Sequence, residues 1–154
     1  MRDYKSEFSE LIQKVSLTIG KGIDISSYCI QDLGVPHKPK GLPIGKMGVY
    51  TFSFNDSFLK IGKAGPNSNA RFRSQHYNPK SANSTLAASL IMDNEMGEYA
   101  IDDGNVKNWI VSNCRRIDVL MDVNLGLFAL ELVESVLHYY YEPKYEGFNS
   151  QHRM

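Results

Sequence analysis

Residues 48–62 constrain this chain most, because they form two runs of strand-forming residues joined by a polar turn. The runs 48–54 and 58–62 are rich in aromatic and β-branched side chains, which favour extended backbone. The residues between them, 55–57, are Asn, Asp and Ser, which hydrogen-bond to nearby backbone; Asn and Asp also tolerate left-handed backbone. The pattern predicts a β-hairpin, in which alternate side chains point to opposite faces.

Basic side chains follow the hairpin closely. Lys60 and Lys63 stand at the end of the second run, and a polar loop then leads to a short helical pattern over residues 70–77 that contains Arg71 and Arg73. A tyrosine of the first strand, two lysines and two arginines are therefore expected to converge at one end of the hairpin.

The composition is that of one globular domain. The 154 residues are 42% hydrophobic and 22% charged, and the formal net charge is zero. A nucleic-acid partner would therefore have to meet basic residues that are gathered locally. Cys29 and Cys114 lack the spacing of a zinc or disulfide framework. No apolar run is long enough to span a membrane, and the N-terminus lacks a signal-peptide pattern, so we expect a cytoplasmic protein without a membrane partner.

Further elements follow from apolar periodicity. Residues 23–46 contain three prolines and several glycines, so we expect them to be irregular. The predicted elements are an amphipathic helix over 4–19, short helices over 86–92 and 105–112, a third strand over 115–123 and a long helix over 125–141.

The predicted fold class is therefore α+β, with a small three-stranded antiparallel sheet flanked by helices. Residues 1–46 are expected to form a helix and an irregular arm packed on the core. Residues 47–154 are expected to form that core, with a helical insertion at about 78–112.

The order of these motifs resembles the GIY-YIG nuclease superfamily. The residues that carry the resemblance are Gly48-Val49-Tyr50, then Lys60-Ile61-Gly62, Arg71 on a helix, Glu134 on the last helix, Pro143 and Asn149. It covers roughly residues 47–149. The resemblance implies a GIY-YIG-like fold and a metal-dependent endonuclease that hydrolyses DNA phosphodiester bonds.

The resemblance implies that Glu134 binds a single Mg²⁺ (or Mn²⁺), a cation that takes few protein carboxylates. From the residues alone, Glu131, Glu134 and His138 share one stripe of the long helix. The distance to Pro143 and Asn149 along the chain selects Glu134, as in the family.

Tyr50 corresponds to the family's general base or water-orienting tyrosine. Lys60 stands where the family usually has a second tyrosine, and as a cation it could hold the attacking water or the cleaved phosphate. Lys63 could do the same.

Arg71 and Arg73 compete for the family's phosphate-clamping arginine. We favour Arg71 and expect Arg73 to contact another phosphate. His76 occupies the place of the family's histidine or tyrosine one turn further on, and Tyr77 takes that role if Arg73 is the clamp. Asn149 resembles the closing asparagine that braces the site.

Metal-dependent DNA cleavage is therefore the leading hypothesis, and a double-strand break would need a homodimer or two successive events. The alternative is a catalytically inactive nucleic-acid-binding or assembly module with the same fold. A hydrolase acting on RNA or a nucleotide is a third alternative, because phosphate contacts carry no base identity.

Overall fold

The computed structural model describes residues 1–82 and 85–145. Short 3₁₀ turns cover Ile25–Ser27, Gln75–Tyr77, Asn94–Tyr99 and Val123–Leu125. The helices and strands are α1 (Tyr4–Thr18), β1 (Tyr28–Gly34), β2 (Lys46–Phe54), β3 (Ser57–Ala64), α2 (Asn69–Arg73), α3 (Leu86–Met92), α4 (Val106–Asn113), β4 (Arg115–Asp122) and α5 (Leu127–Tyr141).

The strands form one antiparallel sheet in the order β1-β4-β2-β3. The α+β class is thus confirmed, but the predicted three-stranded sheet is wrong, because β1 is a fourth strand. The prediction treated residues 23–46 as one irregular stretch. The prolines and glycines of this stretch begin only at Gly34, however, and residues 23–33 contain none. Gly34, the last residue of β1, has a φ of 77°. The chain therefore turns at Gly34, and the residues before it keep an extended backbone.

The predicted hairpin is confirmed as β2 and β3. Asn55 and Asp56 have φ angles of 51° and 60°, so both central residues of the two-residue turn are left-handed, as a tight hairpin requires. The register shifts after Phe52, so β3 contains one extra residue there, a β-bulge that increases the local twist.

Helices cover both faces of the sheet. On the first face, α1 and α5 pack on an apolar cluster. On the second face, α2, α3 and α4 pack on another cluster that includes Tyr50 and Phe52 of β2. The first cluster contains Tyr4, Phe8, Ile12, Met47, Val49, Phe58, Ile61, Ile117, Val119, Met121, Leu130, Val133 and Leu137 among others.

The outer edge of β3 is tied to the end of the described chain. The backbone N–H of Lys144 donates to the Phe58 carbonyl at 3.0 Å, and that of Tyr145 donates to the Leu59 carbonyl at 2.8 Å. A ring nitrogen of His138 on α5 lies 2.6 Å from the Ile61 carbonyl. The last helix and the edge strand are therefore fixed to each other.

The predicted insertion, residues 78–112, contains α3 and all but the last residue of α4, and it supplies much of the cover of the second face. Within residues 1–82 and 85–145, no helix is both long enough and apolar enough to cross a membrane.

Candidate active site at the edge of the sheet

Tyr50 reaches toward the edge of the sheet because Gly62 has no side chain. The two residues are cross-strand partners in β2 and β3, and β3 is an edge strand. A Cβ atom at Gly62 would overlap the Tyr50 hydroxyl and the ring carbons beside it. Gly48 acts in the same way for Phe72, because a Cβ there would lie 2.8 Å from the Phe72 ring. The two glycines of the motif therefore make room for aromatic rings on the second face.

His76 is the direct partner of Tyr50. Its Nε2 lies 2.6 Å from the Tyr50 hydroxyl oxygen, and its Nδ1 accepts the backbone N–H of Leu86 at 3.2 Å. A neutral imidazole that accepts at Nδ1 carries its proton on Nε2. His76 therefore donates to Tyr50, and the proton of the Tyr50 hydroxyl remains available to a third group.

Burial sets the ionisation of this pair. Tyr50 is 3% exposed and His76 is 6% exposed. The pKa of His76 is lowered to about 3, mainly by burial and in addition by the charges of Lys60, Arg116 and Arg71. Burial also raises the pKa of Tyr50 above its ordinary value; Arg71 acts against this shift and Glu134 adds to it. At neutral pH the pair is a neutral imidazole and a neutral phenol.

Arg71 and Glu134 both lie within electrostatic range of Tyr50. Glu134 comes from α5 on the first face, and its carboxylate accepts a hydrogen bond from Lys63 at 3.2 Å. Lys63 is on the first face because its partner in β2 is Val49. Side chains from both faces thus meet beside the edge strand, and Tyr50, Lys63, Arg71, His76 and Glu134 form one cluster.

The two arginines of α2 have different surroundings. They are about 200° apart around the helix axis, since each residue turns an α-helix by about 100°. Arg71 is close enough to Tyr50 to affect its pKa. Arg73 lines a separate pocket on the other side of α2. The structure therefore brings Arg71, and not Arg73, to the cluster.

Lys60, Tyr77 and Asn149 are the other predicted site residues, and of these Lys60 is close enough to the cluster to lower the pKa of His76. Lys60 is buried on the second face opposite Phe52 and affects the pKa of His76. The Tyr77 hydroxyl contacts a ring nitrogen of His37 at 2.7 Å and accepts a hydrogen bond from Arg116 at 2.9 Å. Asn149 lies outside the described residues.

Glu134 fits a metal site that has a single protein carboxylate. Its side chain is 17% exposed and it acts as an acceptor for Lys63. In the described part of the chain, no group of three or more His, Cys, Asp or Glu side chains is arranged to hold a metal ion. Mg²⁺ at phosphate-processing sites needs only one or two carboxylates, because phosphate oxygens and water supply its other ligands. Glu131, one turn earlier on α5, is exposed.

Sequence reasoning missed a buried polar network centred on Arg116 of β4. Arg116 is 0% exposed, and its guanidinium donates to Asp118 at 2.9 Å, to Tyr77 and to the Phe72 carbonyl. The network links the sheet to the end of α2. Charged residues that alternate with apolar ones along a strand usually indicate a face exposed to solvent. Only the position of β4 inside a sheet that is covered on both faces could have revealed this buried network.

Asp118 belongs to the same network and is the cross-strand partner of Tyr50. One of its carboxylate oxygens has no hydrogen-bond partner among the described residues. Burial raises the pKa of this carboxyl, and the charge of Arg116 opposes the shift. Arg116 therefore holds a buried carboxylate next to the candidate site.

Compared with protein-family models, curated proteins and solved structures, the chain gives no match in any of the three searches.

Proposed function

We propose that this chain is a GIY-YIG-type endonuclease that hydrolyses DNA phosphodiester bonds with the help of one divalent cation. The observation that carries the proposal is the convergence of Tyr50, His76, Arg71, Lys63 and Glu134, from both faces of the sheet, at the edge strand β3. A phenol, a carboxylate and several cations are the groups that an in-line attack of water on a phosphate needs.

Tyr50 orients the attacking water in this proposal. In the free protein its pKa is raised by burial, so the phenol is protonated at neutral pH and is a poor base. His76 donates to the phenol oxygen and thereby directs the remaining hydroxyl proton and lone pair toward the reacting water. His76 acts as a positioning residue, because its depressed pKa keeps it neutral.

Arg71 binds the phosphate that is cleaved. It is exposed, and no ion pair engages it within residues 1–82 and 85–145. A guanidinium binds two phosphate oxygens at once, which fixes the phosphate in position and stabilises the charge that develops on it. Lys63 supplies a second cation beside Glu134.

Glu134 would hold the Mg²⁺ or Mn²⁺ ion. When bound, the cation supplies Lewis-acid stabilisation of the phosphate and the leaving oxygen. Glu134 would bind and orient the cation, and Lys63 would then leave its ion pair with Glu134 and contact the DNA phosphate.

A nucleic-acid-binding or assembly module without catalysis is the second candidate. The observation that favours it is the burial of Tyr50 and His76, which is also typical of a tyrosine and a histidine that only support the core. This candidate predicts salt-sensitive DNA binding without metal-dependent cleavage.

Incubation with supercoiled plasmid in Mg²⁺, Mn²⁺ or EDTA tests the proposal. The wild type should nick or linearise the plasmid in either metal and not in EDTA. Glu134→Gln should abolish cleavage, and Arg71→Gln should slow it by about 10²–10³-fold, the scale for loss of a preorganised charge-stabilising group.

Glu131→Gln is the matched control, since it removes one carboxylate from the same helix at an exposed position. It should cut like the wild type. Equal loss in both glutamate variants would contradict the assignment of Glu134, and DNA binding without cleavage in any metal would favour the second candidate.

A further inference from the structure

A pocket on the far side of α2 carries a cluster of positive charge. It has a volume of about 410 Å³ and is lined by Lys38, Pro39, Arg73, Ser74, Gln75, Tyr77, Asn78, Ser81 and Lys107. Three of these side chains are cationic and none is acidic. We call it the Arg73 pocket.

The cations of the Arg73 pocket are exposed and available. Lys38, Arg73 and Lys107 are all exposed at the surface. Over the described ranges, 1–82 and 85–145, no salt bridge engages any of them. Three cations around one concave surface repel each other, and an anion that binds between them offsets this repulsion.

The backbone that carries these side chains is fixed. His37, next to Lys38, contacts the carbonyl of Cys114 and the Tyr77 hydroxyl through its two ring nitrogens, both at 2.7 Å. The Leu42 N–H donates to the Asn69 side chain at 2.8 Å, so the loop that follows Lys38 is held against α2. The Ser81 hydroxyl donates to the Gln75 carbonyl at 2.7 Å. The pocket is therefore a built feature in which three separate segments meet.

We infer that the Arg73 pocket binds a second phosphate of the DNA strand whose cleaved phosphate lies at Arg71. The inference rests on the proposed function. Cationic, serine and amide side chains are the groups that bind phosphate oxygens without reading the bases. The pocket thus sets the path of the strand across α2 and makes no sequence-specific contact.

The spacing suits a strand that crosses the helix. Arg71 and Arg73 are on opposite sides of α2, and an α-helix with its side chains is about 10–12 Å wide. One DNA strand carries a phosphate about every 3.4 Å along the duplex axis. The second phosphate is therefore a small number of nucleotides from the cleaved one on the same strand.

Salt-dependent DNA binding tests this inference. The affinity for a fluorescent DNA duplex is measured by anisotropy in EDTA, so that no cleavage occurs, over a series of NaCl concentrations. The double variant Lys38→Gln/Lys107→Gln should bind more weakly at low salt. The slope of log affinity against log salt should become shallower by about one, the loss of one phosphate contact.

The matched control is Lys14→Gln/Lys21→Gln, which removes two exposed charges from α1 and the turn after it. Because α1 packs on the first face of the sheet, this variant should keep the wild-type slope. Arg73→Gln, at a third position of the pocket, should also weaken DNA binding and make the salt slope shallower, as Lys38→Gln/Lys107→Gln does. Agreement between the two variants makes the conclusion independent of the folding of either one.

A pocket variant with the wild-type slope would overturn the inference while leaving the proposed function intact, provided the wild type still binds and cuts. Binding of inorganic phosphate at Lys107, seen as NMR shifts, together with an unchanged DNA slope would assign the pocket to a free anion and also overturn it. If the wild type binds no DNA at all, both the inference and the proposed function fail.

Discussion

The two faces of the sheet are packed with different kinds of side chain. Under α1 and α5 most buried side chains are aliphatic or aromatic, and Arg115 is buried at the edge of this face in an ion pair with Asp32. Under α2, α3 and α4 the chain buries Arg116, Asp118, His37 and His76 among aromatic rings. Apolar packing depends on volume and tolerates conservative change. Buried polar groups need specific partners. The first face therefore contributes mainly stability, and the second face fixes the positions of Tyr50 and His76 in the candidate site.

The largest difference between the faces should appear at Arg116. Arg116→Met leaves the Asp118 carboxylate buried without its cation, which should lower the free energy of unfolding by about 3–5 kcal/mol. Urea denaturation measures this change. In Arg116→Met/Asp118→Leu the unpaired charge is gone, so most of the loss should be recovered. A double variant as unstable as the single one would show that the carboxylate is not the source of the cost.

Gly62→Ala tests how tightly the second face positions Tyr50. The new Cβ would overlap the Tyr50 hydroxyl, so the ring must move and cleavage should fall by about 10²-fold, as for a misplaced catalytic group. The rate of plasmid cleavage measures the effect. Gly97→Ala is the control, because no atom lies within 4 Å of its added Cβ. Equal rates for Gly62→Ala and the wild type would exclude a role for the Tyr50 position.

The second face should also make stability depend on pH. The pKa of His76 is lowered to about 3 by burial, whereas in the unfolded chain it is about 6.5. Between these values the unfolded chain binds a proton that the folded chain does not, so stability falls as the pH decreases. The contribution of His76 from pH 7.5 to pH 5 is about 2 kcal/mol. The pKa of His37 is shifted in the same direction by burial.

Denaturation of wild type and His76→Gln at both pH values checks this contribution. The variant should lose less stability between the two pH values than the wild type does. An identical pH dependence in both proteins would mean that folding leaves the pKa of His76 unchanged.

The smallest effect is expected on the first face. Ile12→Val removes one methylene from a residue that is 3% exposed and should cost about 1 kcal/mol of unfolding free energy. Cleavage at a temperature where the variant is folded should equal that of the wild type. A cleavage rate that falls with Ile12→Val would show that packing on the first face also sets the position of Glu134.

The sequence predicted the elements whose signal is local. The hairpin turn at Asn55 and Asp56 and the apolar stripe of α1 depend on neighbouring residues, and both are confirmed. The strand β1 was missed because the breakers after it dominated the composition of its region.

The candidate site could be predicted only as a set of residues. Motif order pointed to Tyr50, Arg71 and Glu134, but their roles remain predictions. The choice between Arg71 and Arg73 needed the orientation of α2, and the Arg116 network needed the pairing of distant strands. Both depend on tertiary structure that no local pattern contains.

The contacts along β3 have a consequence for association between copies of the chain. An edge strand with free carbonyls and N–H groups is a template on which another chain can add a strand, the usual start of domain swapping and aggregation. Here Lys144, Tyr145 and His138 engage three carbonyls of that edge. The same segment that closes the fold beside the candidate site therefore also blocks strand addition, and a chain cut after Glu142 should aggregate more readily than the full chain.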